Sequence, residues 1–315
     1  MGSIISMIIF TVGVSMIVKG VDLFIDAATW IAERTGISAG IIGATIISIA
    51  TTLPEFFVST VASTEGLSGM AVGNALGSYT CNIALIIGVC SLVKPIRIKD
   101  SFFAIKGIMM LAYLCVFFIL SRNGIIAHRE GCLLIGLVIF FLGVNILEHR
   151  NKNRNTEDKK KGHIRLRDII INGIKFALGS FFTVYGAHLL VDSGVEIANI
   201  LRIPKQIISL TLLAIGTSLP ELATGLAATI KGQQSISIGN VLGSNIINMS
   251  IVMGASTLVS KQGLIISRQT LIMDIPMAML VSILFIIAGI CREGVGRLVG
   301  ASLLGIYIFY LLIIF

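Results

Sequence analysis

Charged residues are scarce in this sequence: they make up 13% of its 315 residues, whereas hydrophobic residues make up 55%. A soluble domain carries roughly 25% charged residues, so this composition excludes an ordinary soluble protein. The apolar runs are about 20 residues long, the length at which an α-helix crosses a ~30 Å hydrocarbon core. Because these runs are continuously apolar and do not alternate, they exclude a transmembrane β-barrel. The sequence therefore predicts an all-α integral membrane protein.

The chain is also poor in the residues that build disulfides, soft-metal centres and catalytic sites. Its five cysteines are scattered through apolar runs without a CxxC pair, which is unlike a disulfide framework. No Cys/His cluster lies within an apolar run, so a zinc or copper site is disfavoured. An intramembrane enzyme would need a nucleophile or a metal set, and neither is apparent. We expect a protein that is not an enzyme and that carries no cofactor.

Ten apolar spans can be drawn along the chain, five on each side of a basic segment at 149–168. We therefore divide the chain into a first five-helix unit at 1–148, a linker at 149–168 and a second five-helix unit at 169–315. The expected spans are 4–32, 38–64, 70–93, 102–121, 130–148, 169–200, 205–230, 235–259, 270–291 and 297–315.

Much of the net charge of +8 is concentrated in the linker, which contains eight Lys or Arg residues. Positively charged loops stay on the cytoplasmic side of a membrane. This placement predicts a cytoplasmic linker and extracellular termini in a plasma-membrane protein, with anionic lipid as a compatible contact. It accounts for the positive charge without nucleic acid. No protein partner is implied, and we expect a monomer.

The two units are internal repeats. A shift of 166 residues aligns them without gaps from the first span of each through the third, so that Glu55 falls on Glu221 and Ser78 falls on Ser244. Because each unit has five spans, an odd number, the second unit enters the membrane from the opposite face. The repeats are therefore expected to be inverted and related by a pseudo-two-fold axis in the membrane plane. That architecture is typical of alternating access around a site at the midplane.

Each repeat carries one glutamate in the middle of an apolar span, directly after a proline. A carboxylate at membrane depth is costly and usually faces a functional cavity. Pro54 has no N–H, so the carbonyl of Ala50 loses its helical donor, and Pro220 has the same effect on Gly216. A carbonyl released at this depth needs a partner, and a cation is one. Two carboxylates with several neutral oxygens predict a site for a hard cation such as Ca²⁺, which takes roughly six to eight oxygen ligands.

The next span of each repeat carries Gly-Asn-x-Leu-Gly-Ser, with an asparagine four residues after the serine. Ser78 and Asn82 therefore share one helix face, as do Ser244 and Asn248. One alternative is that these small and polar residues only pack helices and bond between them. Each serine follows an intramembrane glutamate by 23 residues, however, and the pattern occurs twice. We therefore favour an ion site.

The octapeptide Ala-Ile-Gly-Thr-Ser-Leu-Pro-Glu221 and the heptapeptide Gly-Asn-Val-Leu-Gly-Ser-Asn245, with their first-repeat counterparts, closely resemble the α-repeats of the Na⁺/Ca²⁺ exchangers. These belong to the Ca²⁺/cation antiporter superfamily, and the short central loop resembles the prokaryotic branch. The resemblance covers essentially the whole chain. It implies exchange of Na⁺ for Ca²⁺ by alternating access, with spans 1 and 6 sliding across the bundle. By position, it implies that Glu55 and Glu221 bind Ca²⁺ with the main-chain oxygens of Thr51 and Thr217.

The resemblance also implies Na⁺ sites on either side of the Ca²⁺ position. They would use side-chain oxygens, main-chain oxygens of two residues (Ser48 and Ala214), and the two asparagines at the centre. The implied Na⁺-binding residues are Ser48, Glu55, Ser78, Asn82, Ala214, Thr217, Ser218, Glu221, Ser244 and Asn248.

Some positions depart from the family motif. The first repeat has Ser48 where alanine is usual, and it reads Ala50-Thr51-Thr52 where Gly-Thr-Ser is favoured. Asn248 stands where some prokaryotic members and the K⁺-dependent branch carry aspartate. Two carboxylates remain instead of three, so a further monovalent cation is held less strongly. We expect exchange that is independent of K⁺ and also electrogenic, because several Na⁺ and one Ca²⁺ would leave different net charges on the pair.

Two other functions fit parts of this pattern. A Ca²⁺/H⁺ antiporter of the same superfamily could use the glutamates as proton carriers, although that branch resembles Gly-Asn-x-x-Glu around its acidic residue. A cation channel would need a continuous pore, often built from symmetric subunits. Inverted repeats within one chain favour a transporter over a channel.

Overall fold

The computed structural model describes residues 2–35, 37–98, 102–154, 166–200, 216 and 218–314, and most of them are helical. A helix bonds its own backbone N–H and C=O groups, which have no water to bond at membrane depth. The helices are α1 (Gly2–Thr35), α2 (Ala39–Ile42), α3 (Ser48–Thr51), α4 (Leu53–Thr64), α5 (Ser68–Cys81), α6 (Gly88–Val93), α7 (Phe103–Ser121), α8 (His128–Arg154), α9 (Leu166–Ile200), α10 (Leu219–Ile230), α11 (Gln234–Ile247), α12 (Met253–Val259), α13 (Ile275–Cys291) and α14 (Arg297–Ile314).

Several spans are not uniform α-helices. A π-helical turn accommodates an extra residue and often occurs at functional sites. Two of these turns begin at equivalent positions of the repeats, Asn82 and Asn248, and so bring the two candidate amides to irregular backbone. In the described residues the π-helical turns are Gly43–Ile47, Asn82–Ile87, Asn248–Val252 and Thr270–Asp274.

The described helices lie on the predicted spans. Eight are long and apolar enough to cross a membrane, and a ninth span results if Ala39–Thr51 and Leu53–Thr64, bent by 44° at their junction, count as one. Of the predicted seventh span, 205–230, the structure describes Gly216 and the part from Ser218 onward, which includes α10. The prediction of an all-α integral membrane fold is confirmed.

The helices on either side of the linker extend further than their apolar spans. Helix α8 continues to Arg154 and α9 already begins at Leu166, so both ends of the predicted 149–168 linker are helical. Hydropathy marks where a helix leaves the hydrocarbon, and the helix itself can continue into the polar layer. Basic residues favour that continuation at a C-terminus, where they meet the negative end of the helix dipole.

Two short antiparallel strand pairs join loops of one repeat to loops of the other. Strand β1 (Ile96–Arg97) pairs with β4 (Gly294–Val295), and β2 (Ile125–Ile126) pairs with β3 (Leu264–Ile265). In a ten-span topology, six spans separate the loops of the first pair and four separate those of the second. An even number of spans returns the chain to the same side, so both pairings agree with the expected topology.

A buried ion pair ties one end of the bundle together. Lys106 on α7 and Glu148 on α8 approach to 2.6 Å between Nζ and Oε2, and their side chains are 4% and 0% exposed. Ser38, which caps α2, donates its hydroxyl to the other Glu148 oxygen at 3.2 Å. The start of α2 is thereby connected to two neighbouring helices.

Replacing Glu148 with glutamine should lower the free energy of unfolding by roughly 3–5 kcal/mol, because it leaves the Lys106 ammonium buried without its anion. Denaturant unfolding in detergent micelles would measure this loss. Lys231→Gln is the matched control, since Lys231 pairs with Asp22 (3.0 Å) and Asp26 (2.9 Å) at the surface. Exposed pairs contribute about 0–1 kcal/mol, so equal losses in the two variants would contradict this view of the buried pair.

Candidate cation site

In each repeat the helix breaks immediately before the Leu-Pro-Glu sequence. Thr52 has φ −84° and ψ 0°, and its repeat equivalent Ser218 has φ −90° and ψ 5°. The prolines lie in the first turn of α4 and α10, where a helix needs no N–H donor. The sequence therefore starts a new helix at the same place twice, with the same local geometry.

The two new helices hold the two candidate carboxylates. Glu55 and Glu221 lie in the first turns of α4 and α10, and each is 1% exposed. The positive end of the helix dipole stabilises negative charge at such positions. The carboxylates also lie near enough to repel each other. Within the described residues Glu221 has no ion-pair partner, and its Oε2 accepts no hydrogen bond. A bound cation would relieve both the repulsion and the missing contact.

Hydroxyl groups from both repeats surround Glu55. Ser78 on α5 donates its hydroxyl to Glu55 Oε1 at 3.1 Å. Ser218, which precedes α10, donates in turn to the Ser78 oxygen at 3.1 Å. These three predicted residues are therefore brought together, and the hydrogen-bond chain crosses from the second repeat to the first.

Two asparagines to which sequence analysis assigned no role also support the site. Asn74 donates to the main-chain oxygen of Glu55 at 3.2 Å and to Ser59 at 2.9 Å. Its repeat equivalent Asn240 accepts the Thr51 hydroxyl at 3.2 Å, and Thr51 also lies beside the Glu221 carboxylate. Both asparagines belong to the repeated Gly-Asn-x-Leu-Gly-Ser motif, so their repetition was the signal that could have identified them.

The remaining predicted side chains are buried and only partly bonded. Asn82 donates its amide to Asn245 Oδ1 at 2.9 Å, while its own Oδ1 has no hydrogen-bond partner in the described part of the chain. The same holds there for the Ser244 hydroxyl and for both side-chain polar atoms of Asn248. A buried polar atom without a partner is costly, so such a group of atoms indicates a ligand.

The main-chain ligands implied by the family resemblance are less fully described. Ala214 and Thr217 lie outside the described residues. Ser48 is buried, and its carbonyl oxygen accepts the N–H of Thr52 at 3.0 Å. A carbonyl oxygen has two lone pairs, so this bond leaves room for a second partner.

The donor set is typical of a hard cation. Among the residues that the structure describes, no cluster of three or more His, Cys, Asp and Glu side chains could hold a metal ion. The two carboxylates are instead accompanied by hydroxyl and amide oxygens, which are ligands suited to Ca²⁺. Whether each predicted residue binds an ion stays a prediction.

Comparison with known families agrees with this donor set. The family model described as sodium/calcium exchanger protein matches residues 5–147 and 173–315. The chain belongs to this family. The expectation drawn from the paired motifs is thereby confirmed, and this exchanger is a multi-pass membrane transporter of cations rather than an enzyme.

Relatives of known name match nearly the whole exchanger. It is 30% identical to the sodium/calcium exchanger MaX1 of Methanosarcina acetivorans, with 99% of each chain covered. It is 32% identical to the inner membrane protein YrbG of Escherichia coli, covering 96% of this chain and 95% of the relative. The solved structure of the sodium-calcium exchanger NCX_Mj matches with a TM-score of 0.84 at 27% identity, covering 98% of each chain.

Proposed function

We propose that this exchanger moves Ca²⁺ in one direction and Na⁺ in the other through a single site between its two repeats. The observation that carries the proposal is the buried pair Glu55 and Glu221, placed at equivalent helix breaks and accompanied by hydroxyl and amide oxygens from both repeats. Similarity to MaX1, which is named a sodium/calcium exchanger, supports this choice of ions.

In the proposed site, Ca²⁺ is bound by the carboxylates of Glu55 and Glu221 and by main-chain oxygens of Thr51 and Thr217. Na⁺ occupies flanking positions, where single positive charges share the same carboxylates with neutral oxygens. The residues proposed to bind Na⁺ are Ser48, Glu55, Ser78, Asn82, Ala214, Thr217, Ser218, Glu221, Ser244 and Asn248.

We further propose alternating access between two inverted repeats at 1–148 and 169–315. Equivalent helix breaks at Thr52 and Ser218, and equivalent π-helical turns from Asn82 and Asn248, support the repeat symmetry. The basic linker supports a cytoplasmic position for 149–168, with both termini outside the plasma membrane.

Uptake of radioactive Ca²⁺ into Na⁺-loaded proteoliposomes tests the proposed exchange. We expect uptake that requires the outward Na⁺ gradient and that continues when the pH is equal on both sides. The alternative function, Ca²⁺/H⁺ antiport, predicts uptake driven by a pH gradient in Na⁺-free solution. That result would overturn Na⁺ coupling while leaving the carboxylate site in place.

Exchange should also respond to membrane potential. Two carboxylates are neutralised by one Ca²⁺, whereas several Na⁺ leave a different net charge on the moving site. Uptake by Na⁺-loaded vesicles should therefore change in rate when a diffusion potential is imposed at constant ion gradients. A rate that is the same at every imposed potential would contradict electrogenic exchange.

Exchange should continue when K⁺ is replaced by choline on both sides of the membrane. Asn248 is buried and offers dipoles without net charge at the central position. A carboxylate there would add roughly 4 kcal/mol of attraction for a cation at about 4 Å and an effective dielectric of about 20. Asn248→Asp should accordingly gain dependence on K⁺. Loss of wild-type exchange in choline would show that K⁺ takes part.

A further inference from the structure

Asn245, one turn before the π-helical turn at Asn248, is fully buried and bonded through both ends of its amide. Its Nδ2 donates to the main-chain oxygen of Tyr79 at 3.1 Å and lies 3.6 Å from the sulfur of Met110. Its Oδ1 accepts the Asn82 amide at 2.9 Å. The side chain therefore connects α11 to the end of α5, where the first-repeat amide begins.

The orientation of both amides follows from the Tyr79 carbonyl. A main-chain carbonyl oxygen only accepts hydrogen bonds, so it requires the NH₂ end of Asn245. The oxygen of Asn245 is then left facing Asn82, which must present its own NH₂. If either amide turned over, two acceptors or two donors would meet in a buried place. The Asn82 oxygen is therefore directed away from Asn245.

That oxygen lies on the helix face that lines the candidate site. Asn82 Oδ1 is buried and has no hydrogen-bond partner among the described residues. Ser78, one turn earlier on the same face, donates to the Glu55 carboxylate. An unpaired amide oxygen in this position suits a cation, whereas an NH₂ group there would repel one.

The second repeat has no equivalent of this arrangement. The shift of 166 residues that relates the repeats places Asn245 on Tyr79, so the second repeat has an amide where the first has a phenol. Tyr79 bonds with its hydroxyl to Ser282 at 3.1 Å. In the part of the chain that is described, neither side-chain polar atom of Asn248 has a partner. The two central amides are thus held differently.

We propose that Asn245 is a positioning residue that holds the oxygen of Asn82 toward the transported ions. Asn82 then acts as a permanent oxygen ligand, whereas Asn248 can turn either end of its amide to the site. This inference rests on the proposed function, because it assigns Asn82 to the ion path, and it adds a residue that touches no ion itself.

Asn245→Leu tests this role, because leucine is of similar size and can neither accept from Asn82 nor donate to Tyr79. The Asn82 amide is then free to turn, and the Ca²⁺ concentration for half-maximal exchange should rise roughly tenfold, the equivalent of one lost hydrogen bond. The maximal rate per folded protein should change less. Asn145→Leu is the matched control: Asn145 is also buried, but it bonds only to Phe141 within α8 among the described contacts, and its replacement should leave the half-saturating concentration unchanged.

A second background separates orientation from general structural damage. A carboxylate presents an oxygen in either orientation, so in an Asn82→Asp protein the further change Asn245→Leu should raise the half-saturating concentration little or not at all. An equal rise in both backgrounds would overturn the positioning role. If the leucine variants do not fold, Asn245→Ala makes the same comparison in both backgrounds.

The outcomes also distinguish this inference from the proposed function. Wild-type protein without Na⁺-driven Ca²⁺ uptake would refute the function itself. Wild-type exchange with unchanged half-saturation in folded Asn245→Leu would refute only the role of Asn245.

Discussion

Glu55→Gln and Glu221→Gln should each abolish Na⁺-driven Ca²⁺ uptake, although both proteins fold and insert. Glutamine keeps the size and the hydrogen bonding of glutamate but removes its charge. One unit charge at about 4 Å and an effective dielectric of about 20 contributes roughly 4 kcal/mol, or about a thousandfold in ion affinity. Both carboxylates are buried at helix breaks, so no bulk water screens this loss. Uptake per folded protein in proteoliposomes measures it.

The matched control for these variants is Glu65→Gln. Glu65 follows the same helix α4 that begins beside Glu55, but it lies on the exposed surface. Its replacement should leave the rate and the Ca²⁺ dependence of uptake unchanged. Exchange at the wild-type rate by either Glu55→Gln or Glu221→Gln would show that these carboxylates do not hold the transported ion.

Gly243→Ala should disrupt the packing that forms one wall of the site. An added methyl group on Gly243 would collide with the main-chain oxygen of Ala44 and would lie 2.6 Å from the Ser48 hydroxyl. The π-helical turn Gly43–Ile47 and α3 would have to move, and with them Thr51, which bonds across to α11. Overpacking of this kind typically costs about 1–3 kcal/mol and sometimes more. We expect lower thermal stability in detergent and a large loss of uptake even in the folded fraction.

Gly136→Ala provides the comparison for this variant. Gly136 lies on the exposed face of α8, and a methyl group added there meets no atom within 4 Å. Alanine is favoured over glycine within a helix by up to about 1 kcal/mol, so this protein should be at least as stable as the wild type. If Gly243→Ala proved equally stable and active, α11 could not lie as close to the Gly43–Ile47 turn as described.

The candidate carboxylates were predictable because they contradict their surroundings. A glutamate in an apolar span is unusual by itself, and its recurrence after a proline at a constant shift of 166 residues makes chance implausible. The helix breaks were predictable for the same reason, since proline acts on its own backbone. The 44° bend between α3 and α4 agrees with the expected effect of Pro54.

The supporting residues were not predictable from spacing. Asn74, Asn240 and Asn245 are part of the repeated motif, yet a motif does not tell which amide meets an ion and which meets another amide. Lys106 and Glu148 were no clearer: one lay within a predicted span and the other at the end of the next, and only folding brings their charges to 2.6 Å. The π-helical turns also left no sign in hydropathy, because they change backbone bonding without changing composition.

The sequence by itself determined the membrane class, the repetition of five spans and the positions of the two carboxylates. These are properties of local composition and of self-similarity, which need no knowledge of contacts. Only the tertiary structure decided which polar atoms meet. Ser218 reaches Ser78 across 140 positions, and Asn245 reaches Asn82 across 163. The direction of a hydroxyl or an amide depends on such distant partners, because each buried donor must find an acceptor wherever the fold places one.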